Sequence, residues 1–205
     1  MTGPVARTNL RGGGGEVDSR TFQCPSSLAD HRVTRYDSRM DWQVSRNGHL
    51  TLENRKVRAA LGRAGVTKAS DKCEGDGATP LGTYAVRRVL YRADRLSRPQ
   101  TVLPCRPLQA NDGWCDAPED PAYNRPVRRP YPASHEAMWR EDGLYDIILV
   151  LGHNDDPPIA GSGSAIFLHC KRDDYKPTEG CIALDPDDVR ALLKALQPGD
   201  TLTIA

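Results

Sequence analysis

The stretch Ser164-Ala-Ile-Phe-Leu-His169-Cys-Lys-Arg-Asp-Asp-Tyr-Lys-Pro-Thr178-Glu-Gly180-Cys181-Ile-Ala-Leu184 decides the reading of this chain. An apolar run ends in a histidine, a polar loop follows, and Thr-Glu-Gly-Cys opens onto a second apolar run. Short apolar runs bounded by turn-forming residues read as strands. A strand–loop–strand return brings His169 and Cys181 together across the loop that separates them. A cysteine thiol becomes a strong nucleophile when a nearby imidazole takes its proton. Gly180 lets the backbone approach a substrate carbonyl, and the amides beside it can hold an oxyanion. The pattern is that of a cysteine acyl-transfer site, and its bland alternative is a buried, inert cysteine.

Working outward, Asp185-Pro186-Asp-Asp-Val189 to Leu196 predicts a helix. Asp185 caps it, Pro186 suits its first turn, and Val189, Leu192, Leu193 and Leu196 share one face. Pro198-Gly199-Asp200 then turns into a last strand, Thr201 to Ile204. Upstream, Leu144 to Leu151 reads as a buried strand stopped by Gly152, and Ala165 to His169 as another. Thr83 to Val89 is a further strand, preceded by turn chemistry in Cys73 to Gly82. Asn47-Gly48 marks a turn before Leu50-Thr-Leu52. Residues 98–142 carry eight prolines and are rich in aromatics. They exclude a long helix or a central strand and predict an ordered cap or substrate-facing insertion. Residues 1–30, with four consecutive glycines, read as a flexible tail, and 31–205 as one domain. The whole predicts a mainly β, sandwich-like fold with one helix near the C-terminus.

Composition narrows the function classes. The chain has 205 residues, 28 basic against 27 acidic, and a net charge of +1. Without a basic block interleaved with aromatics, nucleic acid is not an expected partner. No run approaches the roughly 18 apolar residues of a membrane span. The opening Met1 to Gly15 shows no apolar core of a secretory signal. The six cysteines are Cys24, Cys73, Cys105, Cys115, Cys170 and Cys181. Cys105 and Cys115 either pair in an oxidising compartment or stay free. Cys170 alternates away from the face of His169 and reads as structural. No ligand spacing supports a metal site, His135-Glu136 being at most half of one, and no cofactor is expected.

Three stretches together resemble the L,D-transpeptidase (YkuD-type) catalytic domain of bacterial cell-wall enzymes. They are Asp76-Gly-Ala-Thr79-Pro80-Leu-Gly82-Thr-Tyr84, Gly161-Ser-Gly163-Ser-Ala-Ile-Phe-Leu-His169 and Thr178-Glu-Gly180-Cys181-Ile-Ala-Leu184. The resemblance covers roughly residues 40 to 205, and Trp114-Cys-Asp116 with Tyr123-Asn-Arg125-Pro126 is similar to a proteobacterial short-form subgroup. It implies a β-sandwich-like fold, Cys181 as nucleophile and His169 as general base. Gly180 and the Cys181 amide would serve the oxyanion, with Thr178 in the family's Ser/Thr place. It further implies peptidoglycan stem peptides as substrate, a diaminopimelate amine as acceptor, and a periplasmic or envelope location; a monomer is expected. Two departures stand out. Many members carry His before the Gly-Cys pair and Arg or Asn two residues after it, where this chain has Glu179 and Ala183. The loop from His169 to Thr178 is also short.

Beyond that core, His153, Arg125, Trp114 and Tyr123 are candidates for substrate binding. Arginine suits carboxylates because its planar fork pairs with them bidentately. The competing readings are a cysteine amidase or carboxypeptidase with water as acceptor, a non-catalytic peptidoglycan-binding module, and a redox thiol protein.

Overall fold

The structure is a computed structural model that describes residues 40–52 and 54–205. The expected tail over residues 1–30, with Cys24, lies outside the described residues. In chain order the strands are β1 (Asp41–Ser45), β2 (His49–Leu52), β3 (Arg55–Ala60), β4 (Val66–Lys68), β5 (Thr79–Tyr91), β6 (Cys105–Pro107) and β7 (Asp112–Cys115). They continue as β8 (Pro126–Arg128), β9 (His135–Ala137), β10 (Ile147–Leu151), β11 (Phe167–Cys170), β12 (Ile182–Leu184) and β13 (Thr201–Ile204). One α-helix, α1 (Pro186–Ala195), lies between β12 and β13. Among the described residues the fold is mainly β with one α-helix near the C-terminus, as the patterning predicted.

The strand order β10-β11-β12-β3-β2-β1-β13-β5 closes on itself, because β5 also pairs with β10. The long strand β5 does this with its two halves. Residues 82–85 pair with β13, and residues 86–91 pair with β10 across a register shift. Closure leaves this ring without an open edge, which is one way a large β-sheet avoids unpaired backbone groups. Pro80 is tolerated near the start of β5, two residues before the β13 pairing begins at Gly82. The sequence predicted only Thr83 to Val89 here; β4 extends the strand backwards by pairing with Thr79–Leu81.

Alternation along the ring strands sends every second residue inward. Trp42 and Val44, Leu50 and Leu52, Leu168 and Cys170, Ile182 and Leu184, and Leu202 and Ile204 all belong to one buried cluster. Val189, Leu192, Leu193 and Leu196 of the helix segment join it, the helical stripe that the spacing predicted. Asp185 caps α1 by accepting a hydrogen bond from Asp187 N at 3.1 Å. The same alternation sends Ile148, Val150 and Phe167 outward. They are buried all the same, because Leu108, Trp114 and Met138 of the 98–142 segment cover them in a second cluster. That segment holds β6 and a three-stranded sheet, β8-β7-β9. Cys105 and Cys115 are free thiols, and Cys170 faces the inner core.

Candidate active site

Of the two chemistry-bearing residues, His169 sits on β11 and Cys181 immediately before the adjacent β12. β11 and β12 pair in parallel, with Leu168 opposite Ile182 and His169 opposite Ala183. Cys181 precedes β12 and lies two residues from the partner of His169. Neighbouring strands are about 4.8 Å apart and two residues rise about 6.6 Å, so the two Cα atoms stand roughly 8 Å from each other. His169, Cys181 and Ala183 line one pocket of about 390 Å³. The same pocket is lined by Glu74 from the loop before β5, Asp116 and Glu136 from the 98–142 segment, and Tyr145 just before β10.

The Thr-Glu-Gly-Cys turn is held by a dense local network. The Thr178 hydroxyl donates to Cys181 O at 2.7 Å and accepts from Gly180 N at 3.2 Å. Thr178 also bridges to the end of β3, donating its N–H to Leu61 O and accepting from Arg63 N. Thr79, from the Asp-Gly-Ala-Thr-Pro stretch, reaches Cys181 O with its hydroxyl at 3.4 Å while accepting from Gly62 N at 2.8 Å. The upstream motif is therefore a brace for the Cys181 backbone. Gly180 has φ +133°, and a Cβ there would stand 3.0 Å from Ala78 O. Only glycine meets both conditions without strain. The Asp76 carboxylate in turn holds the brace, accepting from Cys73 N, Ala78 N and Lys72 Nζ.

At the reacting groups, the Cys181 thiol donates to Ala165 O at 3.2 Å, and Phe167 N–H donates to its sulfur at 3.4 Å. The His169 ring donates from Nδ1 to Cys170 O at 2.8 Å. That bond leaves Nε2 as the proton-accepting nitrogen. The face of the imidazole is covered by Tyr145, edge-on with ring centroids 5.2 Å apart. Burial pushes the His169 imidazole down to about 4. Burial, reinforced by the Glu136 carboxylate, pushes the Cys181 thiol up to about 12. Both groups are therefore neutral at pH 7, and no thiolate–imidazolium pair exists at rest. The sulfur at rest is turned to Ala165 O, and no hydrogen bond joins it to His169 among the described residues. Gly180 N–H is engaged by Thr178, so of the two expected oxyanion amides the one beside the sulfur, that of Cys181, has no acceptor among the described residues.

The remaining candidates lie elsewhere. Trp114 is buried beneath the site, edge-on to Phe167 at 5.0 Å, with Nε1 bonded to Asn124. Tyr123 is buried and donates to Glu74 at 2.6 Å. His153 is buried, donates from Nε2 to Ser162 O, and packs edge-on to Tyr84. Arg125 is exposed. None of the four lines the pocket. Aromatics in the covering segment serve burial first, and Trp114 and Tyr123 reach the pocket only through the residues they support. His135 turns to Ala133 O, whereas its neighbour Glu136 faces the pocket and accepts from Tyr145 at 2.5 Å. Glu136, Tyr145, Lys72 and Thr79 are the site residues that sequence reasoning missed. Glu179 is exposed and paired with Arg63, and Ala183 is a small wall residue beside His169.

No helix among the described residues is long and apolar enough to cross a membrane. Comparison with curated proteins and with solved structures returned no match. A family model, the L,D-transpeptidase catalytic domain (YkuD), matches residues 28–204. With nearly the whole chain matched and the His169–Cys181 stretch folded onto one pocket, this chain belongs to the YkuD L,D-transpeptidase catalytic-domain family.

Proposed function

We propose that this chain is an L,D-transpeptidase that forms 3-3 or 1-3 peptidoglycan cross-links by acyl transfer through Cys181. The observation that carries the reading is the meeting of Cys181 and His169 in one pocket, on adjacent parallel strands. The family acts on peptidoglycan stem peptides, and the pocket offers both basic and acidic side chains for a zwitterionic peptide.

In this reading the thiol turns from Ala165 O toward Nε2 of His169 when the donor enters. Sγ attacks the donor carbonyl carbon as Nε2 takes the S–H proton, and the oxyanion is met by the Cys181 amide. The imidazolium returns that proton to the leaving amine, the C–N bond breaks, and a thioester remains. An acceptor amine then attacks the thioester, the C–S bond breaks, and the thiol is restored. Because thiol and imidazole are neutral at rest, proton transfer accompanies attack. The nucleophile is thereby kept from indiscriminate reaction with other electrophiles. The work takes place in the cell envelope, by a monomer.

Incubation with purified muropeptides and mass spectrometry of the products tests this. Dimers with a tripeptide donor identify 3-3 linkage, and dimers that have lost most of the donor stem identify 1-3 linkage. Shortened monomers alone would replace transfer by hydrolysis, and unchanged muropeptides would refute the enzymatic reading.

A further inference from the structure

Backbone strain gathers behind the thiol. Among the described residues, five that are not glycine have φ in the left-handed region. Three of them, Asn124 at +55°, Asn154 at +47° and Ala165 at +52°, are joined by one side chain, that of Asn124. Asparagine adopts this conformation readily. Alanine does not, so Ala165 stays there only while its surroundings hold it. A residue kept in a sparsely populated region, with a neighbourhood that over-determines it, points to function.

The hold comes from Asn124, which is only 3% exposed. Its Oδ1 accepts from Trp114 Nε1 at 2.9 Å and from Ala165 N–H at 3.0 Å. Its Nδ2 donates to His153 O at 3.0 Å and to Asn154 O at 2.6 Å. A side-chain amide has two acceptor and two donor places, and all four are filled. The flipped amide would set donor against donor and acceptor against acceptor, so the group sits only one way. Aspartate would press a carboxylate oxygen against two carbonyls. Asn154 fixes the same loop from within, accepting from Ile159 N at 2.8 Å and donating to Ile159 O and Gly163 O, each at 2.9 Å. The stretch between β10 and β11 is thus stitched to the connection between β7 and β8 before it reaches the site.

Ala165 carries the restraint to the thiol. Its N–H is anchored on Asn124, and its carbonyl accepts the Cys181 S–H at 3.2 Å. With the N–H anchored, the φ of +52° decides where that carbonyl points, and it points at Sγ. Phe167 N–H donates to the same sulfur at 3.4 Å, but it belongs to β11 and is placed by the sheet. Only the Ala165 contact depends on a strained residue and on support from another part of the chain. We propose that Asn124 is a positioning residue for the Cys181 thiol. By holding Ala165 through its N–H, it keeps the Ala165 carbonyl on the S–H and the sulfur turned away from His169 until a donor enters. The proposal rests on the transpeptidase reading for the consequence, a guarded nucleophile, but not for the geometry. A carbonyl that accepts from S–H stabilises the protonated thiol, so losing Asn124 both frees the S–H and makes the thiolate easier to form.

The S–H stretch, which falls in frequency when a thiol donates a hydrogen bond, reads this contact directly by Raman spectroscopy. Each spectrum of the full chain is taken as a difference against the same protein carrying Cys181→Ala, which cancels the other thiols. Asn124→Gly is the informative variant, because glycine accepts a φ of +55° freely and only the side chain is lost. The expected result is a Cys181 S–H band moved to higher frequency. Alkylation of Cys181 by iodoacetamide is expected to run about fivefold faster at one fixed pH, the worth of one lost hydrogen bond to the protonated thiol. Trp114→Phe removes the other bond to Oδ1 and loosens the same wall but spares Ala165, so its band is expected where the wild-type protein has it. An unmoved band or an unchanged alkylation rate in Asn124→Gly, or an equal displacement of the band in both variants, would overturn the positioning role. Asn124→Ser, whose hydroxyl is too short to span the four partners, carries the same expectation if the glycine variant does not fold. Acyl-enzyme formation by the wild-type protein with a carbapenem is followed separately by mass. Its absence would count against the transpeptidase reading, while the S–H band still decides the role of Asn124.

Discussion

The resting state of Cys181 makes a prediction that separates this site from thiol enzymes with a preformed ion pair. Burial and the Glu136 carboxylate push the thiol up to about 12. Only the thiolate is strongly nucleophilic. At pH 7.5 an ordinary thiol titrating near 9 is about 3% ionised, whereas one titrating at about 12 is about 0.003% ionised, a thousandfold difference. His169 does not offset this, because burial pushes it down to about 4 and it carries no charge to stabilise a thiolate. The perturbation is a pH series, from 6 to 10, of iodoacetamide alkylation. The rate is read on the peptide containing Cys181, so that the exposed Cys73 does not contribute. The expected profile climbs about tenfold per pH unit without a shoulder, and at pH 7.5 lies about a thousandfold below that of a free thiol. A plateau anywhere between pH 6 and 8 would mean a thiolate–imidazolium pair at rest, and the neutral-pair mechanism would fall with it.

Further outcomes are expected from the same network. His169→Ala should slow acylation by a donor peptide at neutral pH by about 10²-fold or more, the usual worth of a positioned base; an unchanged rate would move the base elsewhere. Because the His169 imidazole is pushed down to about 4 in the fold and titrates near 6.5 when unfolded, the unfolded chain binds more protons between those values. Its contribution is complete above about 6.5 and lost as pH falls toward 4, about 3 kcal/mol in all. Urea melts at pH 7 and 4.5 should show most of it, and His169→Asn should flatten the difference. Gly180→Ala forces a β-carbon against Ala78 O at a φ of +133° and should cost about 1–3 kcal/mol, read as a lowered Tm. Asp200 is 1% exposed and accepts from Met40 N, Trp42 Nε1 and Gln197 N, so Asp200→Ala should cost about 3 kcal/mol in denaturant unfolding.

What the sequence makes legible here is what local chemistry governs. The α1 boundaries follow from Asp185, Pro186 and the Val189–Leu196 stripe. The Asn47-Gly48 turn follows from its dipeptide, and Gly48 indeed closes on Ser45 at 2.8 Å. The continuous apolar run into Leu151 reads as a strand because both its faces are covered, one by the ring core and one by the 98–142 segment. Closure of the ring is not legible, since it depends on β5 changing partners halfway along. The parallel pairing of β11 with β12 is likewise a long-range event. It is what sets His169 beside Ala183 rather than beside Cys181 itself.

The substrate-binding candidates that stay out of the pocket share one cause. Trp114, Tyr123 and His153 are polar-tipped rings in loop-rich sequence, and such residues look the same whether they face a ligand or hold a wall. The difference lies in where the polar tip finds its partner. Each of these tips is satisfied inside the protein, by Asn124, Glu74 and Ser162 O. No periodicity or motif tells the two cases apart, because where a polar tip is satisfied is a property of the folded neighbourhood. Cys181 and His169 were visible because their chemistry is rare. Asp116 and Glu136 reach the pocket of Cys181 and His169 because the 98–142 segment packs over β11, a long-range arrangement that no local pattern carries.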